Sequence, residues 1–148
     1  MNLNSKVVLV TGGFDPIHSG HLKYIEQAKK LGDYLVVGVN SDAWLIRKKG
    51  SRFMPLSERQ QILSAIRWVD LAIHFVDDDN SAKDAIARVR QMFPANKIVF
   101  ANGGDRNKTN IPEMSIEDDN IEFVFGVGGE DKANSSSWIL NEFKNNTK

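Results

Sequence analysis

Cysteine is absent from the 148 residues, which excludes thiol nucleophiles, disulfides, Cys-ligated zinc and iron–sulfur clusters. Net charge is absent as well. The 19 Lys and Arg balance 19 Asp and Glu, so the chain lacks the strongly basic composition that usually accompanies nucleic-acid binding. No apolar run approaches the roughly 18 residues of a membrane span. The longest are Val7-Val8-Leu9-Val10 and Tyr34 to Val39, and the opening Met1-Asn2-Leu3-Asn4-Ser5-Lys6 has no apolar core of the kind a signal peptide carries. These absences lead to the expectation of a cytoplasmic protein with neither a nucleic-acid nor a membrane partner. A chain of this length buries about 70% of its extended surface, and the reading is a single domain over residues 1–148. The zero sum conceals an asymmetry: residues 1–60 carry nine Lys/Arg and five Asp/Glu, the remainder ten and fourteen. An anionic ligand belongs with the first part.

There is no internal repeat, low-complexity tract or linker. Short β-branched and aromatic runs at Val7 to Val10, Tyr34 to Val39, Leu71 to Phe75, Ile98 to Ala101 and Ile121 to Phe125 read as buried parallel strands. Helical patterns lie between them. Ala82, Ala85, Ile86, Val89, Met92 and Phe93 form one stripe, and Leu22, Ile25, Ala28 and Leu31 another, with Gly32 as its expected stop and Ser57 as the expected N-cap of a helix carrying Ile62, Leu63 and Ile66. Strict alternation predicts an α/β fold, a Rossmann-like doubly wound five-stranded parallel sheet with helices on both faces. Ligands of such sheets bind beyond the carboxyl ends of the strands.

The loop after the first strand is the most informative: Thr11-Gly12-Gly13-Phe14-Asp15-Pro16-Ile17-His18-Ser19-Gly20-His21. Gly12 and Gly13 admit a close ligand, and Pro16 stiffens the approach. His18 and His21 flank the start of a helix, where backbone N–H groups favour an anion, and as donors they suit charge developing on a phosphate. The competing reading makes the two imidazoles caps or packed side chains. Zinc lacks a third ligand at a recognisable spacing.

The H-x-G-H of His18 to His21, following the G-x-F-D-x-x-H approach from Gly12, resembles the signature of the nucleotidylyltransferase superfamily. Val39-Asn40-Ser41-Asp42, Lys48-Lys49-Gly50, Pro55-Leu56-Ser57-Glu58-Arg59 and Ala65-Ile66-Arg67-Trp68-Val69-Asp70 extend the likeness to two subfamilies. These are the glycerol-3-phosphate cytidylyltransferases and the adenylyltransferase domain of ADP-heptose synthase. The resemblance implies coupling of a nucleoside triphosphate to a small phosphorylated acceptor with release of pyrophosphate. It implies His18, His21, Lys23 and Lys48 as catalytic residues, with Gly12, Gly13, Phe14 and Asp15 beside the nucleotide. Arg47-Lys48-Lys49 also reads as a solvated basic turn, and Arg59, implied at the acceptor, reads equally as half of an exposed Glu58–Arg59 pair.

Glycines beside an acid in Asn102-Gly103-Gly104-Asp105 suit base and ribose, against a plain turn as the alternative. The ADP-heptose enzymes resemble this Gly-Gly-Asp, whereas the glycerol phosphate enzymes usually carry an acid at the second glycine. Ser135, Ser136 and Ser137, opening the last helix, match a family cluster that holds phosphates, and simple N-capping competes without excluding it. The arginine that glycerol phosphate enzymes place just upstream is missing, and Lys132 is the candidate substitute at the acceptor. Magnesium is expected to bridge the triphosphate, with Asp15 as its candidate protein ligand unless that carboxylate braces the loop. His74 reads as structural, and Asp77-Asp78-Asp79 as a solvated loop. CTP is favoured over ATP on the chain's length, and Gly103-Gly104-Asp105 pulls toward ATP. A homodimer is consistent with relatives, although no bare apolar stripe demands one. Of the other classes, a dinucleotide oxidoreductase would need G-x-G-x-x-G after the first strand, and a non-catalytic nucleotide-binding module would bind without turnover.

Overall fold

The computed structural model describes residues 1–104, 111–129 and 135–146. Five strands, β1 (Lys6–Gly12), β2 (Tyr34–Val39), β3 (Leu71–His74), β4 (Lys97–Gly103) and β5 (Ile121–Val127), form one sheet in the order β3-β2-β1-β4-β5 with every pairing parallel. Helices α1 (Ser19–Lys29), α2 (Asp42–Lys49), α3 (Leu56–Ser64), α4 (Lys83–Met92) and α5 (Ser136–Asn146) complete the α/β arrangement, together with a 3-10 turn at Pro112–Ser115. The Rossmann-like fold expected from the alternation is the one found.

Period-2 alternation divides β1 between two cores. Val8 and Val10 pack with Ile25 and Ala28 of α1 and Leu63 of α3, whereas Val7 and Leu9 pack with Ala85, Ile86 and Val89 of α4. Helices therefore cover both faces. The apolar stripe of α4 lies where its spacing predicts, although Met92 at its end is exposed. Order reverses at β1: the chain runs outward through β2 and β3, then returns to β4 on the other side. The split between β1 and β4 is the point at which such sheets open a crevice.

Three local expectations are corrected. α1 ends at Lys29 with Lys30 as its cap, and Gly32 serves close packing instead, since a Cβ there would stand 2.8 Å from the Lys6 carbonyl oxygen. α3 begins at Leu56 after Pro55, without a side-chain cap, so Ser57 lies inside the helix. Lys48 and Lys49 belong to α2 rather than to a turn; Ser41 caps α2 by accepting the Trp44 N–H, and Gly50 ends it at φ 87°. Among the described residues no helix is long and apolar enough to cross a membrane.

Candidate active site

A cavity of about 540 Å³ opens at the carboxyl ends of β1 and β4. It is bordered from one side by His18, His21, Lys23, Lys48 and Lys49, and from the other by Asn102, Gly103, Gly104, Gly128 and Gly129, with Ser135 to Ser137 at the start of α5. Most of the expected residues thus meet in one space, drawn from loops after four different strands.

The histidines are placed by the helix they start. His18 is the N-cap of α1, its Nδ1 accepting the Gly20 N–H at 3.1 Å, and the Nδ1 of His21 accepts the His18 N–H at 3.3 Å. The two rings stack with centroids 3.8 Å apart. An imidazole that accepts at Nδ1 keeps its proton on Nε2 when neutral. Burial first, then the neighbouring His18 and the Lys49 charge, push the His21 pKa down to about 3. A neutral ring with an Nε2–H donor is the form that results. The capping reading and the phosphate-donor reading are therefore compatible, because capping occupies one nitrogen and orients the other.

Phe14 supports this pair from below. Its backbone sits at φ 51°, a left-handed conformation costly for a residue with a side chain, and its buried ring meets the edge of His21 at 4.9 Å. A Cβ on Gly12 would stand 3.1 Å from that ring. Gly12 borders the cavity, while Gly13 backs onto Leu45 and Trp44. Of the four residues implied beside the nucleotide, Gly12 borders the cavity and Phe14 packs against His21.

Asp15 is corrected from metal ligand to brace. Its carboxylate is buried, and both oxygens accept backbone N–H groups, from Phe53 and Met54, each at 2.6 Å. Among the described residues no three His, Cys, Asp or Glu gather as a metal site. The side chains here do not fit a protein-held magnesium at Asp15.

Arg59 is corrected too. Rather than facing an acceptor, it is 1% exposed and its guanidinium is consumed internally. Nε donates to the Met54 carbonyl, one terminal nitrogen to the carbonyls of Gly13 and Asn40, and the other to Asp42 at 2.7 Å. It ties the loops after β1 and β2 to the 51–54 segment. Asp77, expected to be solvated, is buried and accepts from the Asn40 side chain and from the N–H and hydroxyl of Ser41. His74 is exposed at the end of edge strand β3, rather than a packed structural histidine.

Lys48 holds its ammonium 4.9 Å from the centre of the Trp44 ring, a cation–π contact at the cavity wall. Lys23 lies near Gly129, with its Nζ 3.6 Å from where a Cβ would be. Gly103 sits at a register shift between β4 and β5, where a Cβ would be 3.1 Å from the Val127 carbonyl oxygen and 3.2 Å from the Tyr24 ring. Ser135 accepts the Trp138 N–H, and Ser136 donates to the Pro16 carbonyl at 2.8 Å, joining α5 to the β1 loop. Both serines are buried, and Ser137 is exposed. Asp105 and Lys132 lie outside the described residues. Thr11, Tyr24, Asn40, Trp44, Lys49, Asn102 and Trp138 also border the cavity. Asn40 and Lys49 stood in recognisable segments; Tyr24 and the two tryptophans carried no sequence signal.

A family model described as cytidylyltransferase-like matches residues 9–108. The bifunctional protein HldE of Erwinia tasmaniensis is 38% identical over 130 residues, covering 78% of this chain and 27% of that protein. HldE of Pelobacter propionicus is 31% identical over 144 residues, covering 93% and 28%. The chain thus spans under a third of the length of these curated relatives. A lipopolysaccharide core biosynthesis protein from Thermoplasma volcanium superposes with a TM-score of 0.62 at 25% identity, over 88% of this chain and 100% of that one. A Vibrio parahaemolyticus protein assigned as a nicotinate-nucleotide adenylyltransferase shares the fold alone, with a TM-score of 0.65 at 13% identity over 95% and 88% of the two chains. The family match runs from within β1 to beyond β4 and so takes in both sides of the cavity: the chain belongs to the cytidylyltransferase-like family of nucleotidyltransferases.

Proposed function

We propose that this chain transfers a nucleotidyl group from ATP to a small phosphorylated sugar or polyol and releases pyrophosphate. The observation that carries the reaction class is the stacked His18–His21 pair at the mouth of α1, with Lys23, Lys48 and Ser137 around it. An oxygen of the acceptor's phosphate attacks the α-phosphorus in line; that P–O bond forms as the bond to the β-phosphate oxygen breaks, and pyrophosphate departs. A phosphate dianion is already nucleophilic, so no side chain needs to take a proton. Catalysis comes from positioning and from donors aimed at developing charge. His18 and neutral His21 donate from Nε2, Lys23 and the exposed Ser137 take the pyrophosphate end, and Lys48 seats the acceptor's phosphate. A magnesium ion arriving with the triphosphate would add charge neutralisation, held by the substrate rather than by a side chain among the described residues.

ATP is preferred to CTP on the Gly-Gly-Asp likeness to ADP-heptose enzymes, with Gly103 and Gly104 bordering the cavity. The expectation of CTP rested on chain length, which has no weight for a chain matching one part of longer relatives. The test is pyrophosphate release with ATP and with CTP against a panel of phosphorylated sugars, polyols and choline-type acceptors. Turnover with ATP and a sugar or polyol phosphate is expected. Nucleotide binding without turnover for every pairing would make the chain a binding module instead.

A further inference from the structure

A second cavity, of about 310 Å³, lies beside the first and shares Lys49 and Ser137 with it. Its volume falls within the roughly 300–1,000 Å³ of small-molecule sites. The wall is formed by the 51–54 segment on one side and by α5 on the other, and it brings Lys49, Arg52 and Lys144 together with Asn141 and the exposed ring of Phe53. The one acid there is Asp15, whose two oxygens are already engaged by the Phe53 and Met54 N–H groups. Those same bonds hold the segment in place as a wall. Arg52 is paired at 3.4 Å with Asp42, which also holds Arg59. The cavity is therefore cationic, carries an amide for hydroxyl groups, and offers an aromatic face for the C–H side of a sugar ring.

Resting on the transferase reading above, we propose that this second cavity seats the far end of the acceptor, and that the acceptor carries a second anionic group, a phosphate or carboxylate, several bonds from the phosphate that attacks. Continuity through Lys49, the neighbour of the Lys48 that seats the attacking phosphate, is what joins the two seats into one acceptor site. Arginine and lysine at the far end suit an oxyanion there.

Glucose 1,6-bisphosphate and glucose 1-phosphate differ only in that distal group. Calorimetric titration of each into the protein saturated with α,β-methylene-ATP should show the bisphosphate binding at least tenfold tighter. Arg52→Ala and Lys144→Ala, both at exposed positions, should each remove most of the difference and leave the glucose 1-phosphate and nucleotide affinities unchanged. Equal affinities, no binding of the bisphosphate, or a preference that survives both substitutions would overturn the subsite. The readout is heat, not turnover. Failure of every acceptor to release pyrophosphate would overturn the transferase reading while a bisphosphate preference lost in the two variants would still stand.

Discussion

His18 and His21 cap one another's helix turn and stack ring on ring at 3.8 Å, so each imidazole has its Nδ1 committed to a backbone N–H. A proton on either ring would have to displace that bond or crowd a second charge against its neighbour. His21 is held neutral, with burial first among the causes that lower its pKa to about 3.

The first prediction concerns protonation. With its pKa lowered to about 3, chiefly by burial, His21 should remain an uncharged Nε2–H tautomer through neutral and mildly acidic pH. The unfolded chain binds a proton at this imidazole near the ordinary pKa of 6.5 and the folded one does not, so stability is full above that range and declines as pH falls from about 6.5 toward 3. Imidazole nitrogen shifts followed by NMR across pH 5–8 check this. A His21 midpoint above pH 5 would rule the assignment out.

Replacing His21 with alanine should lower kcat at least about a hundredfold, the loss typical of a transition-state donor. The His18 N–H also loses its acceptor, so a helix-cap loss of about 1 kcal/mol should accompany it. Steady-state kinetics beside a thermal melt separate the two effects, and near-normal turnover would take His21 out of the mechanism.

Arg59→Ala distinguishes a brace from an acceptor ligand. It orphans the carbonyls of Gly13, Asn40 and Met54 and the carboxylate of Asp42, which should destabilise the fold by about 3–5 kcal/mol. Urea unfolding is the measurement. An unchanged midpoint with only the acceptor KM raised would restore the ligand role.

How much of this was legible in the sequence varied with the range of the interaction. The His18–His21 pair was readable because both residues sit in one loop beside the helix they start, and the strands were readable because burial on both faces leaves uninterrupted apolar runs. Arg59 was not. Its partners lie 5 to 46 positions away, and only the folded chain brings them together around one guanidinium. Asp77 was misread for the same reason: Asn40 and Ser41 reach it from the end of β2, and an aspartate triplet viewed alone resembles a solvated turn. Lys48 was identified, but α2 was not, since its cap depends on a single serine and its one buried residue is Leu45.

Gly104→Asp should penalise ATP more than CTP. Gly104 has φ 64°, a conformation aspartate tolerates better than most residues, and a Cβ there meets nothing within 4 Å. The fold should hold while an acid enters the cavity where the proposed reading puts the base. The expected result is a fall of at least about tenfold in kcat/KM with ATP and a smaller one with CTP; equal losses with both nucleotides would remove Gly104 from base selection.

The reversal of strand order at β1 has a consequence for how such a protein changes over time. The histidines and lysines that border the cavity come from the segments after β1 and β2, and its glycines from the loops after β4 and β5, with the α5 serines between them. On the proposed reading, chemistry and nucleotide choice therefore occupy separate stretches of the chain. Drift or recombination downstream of β4 can retune which triphosphate is accepted while leaving the histidine pair and its supports intact, so new substrate pairings are reachable without rebuilding the catalyst.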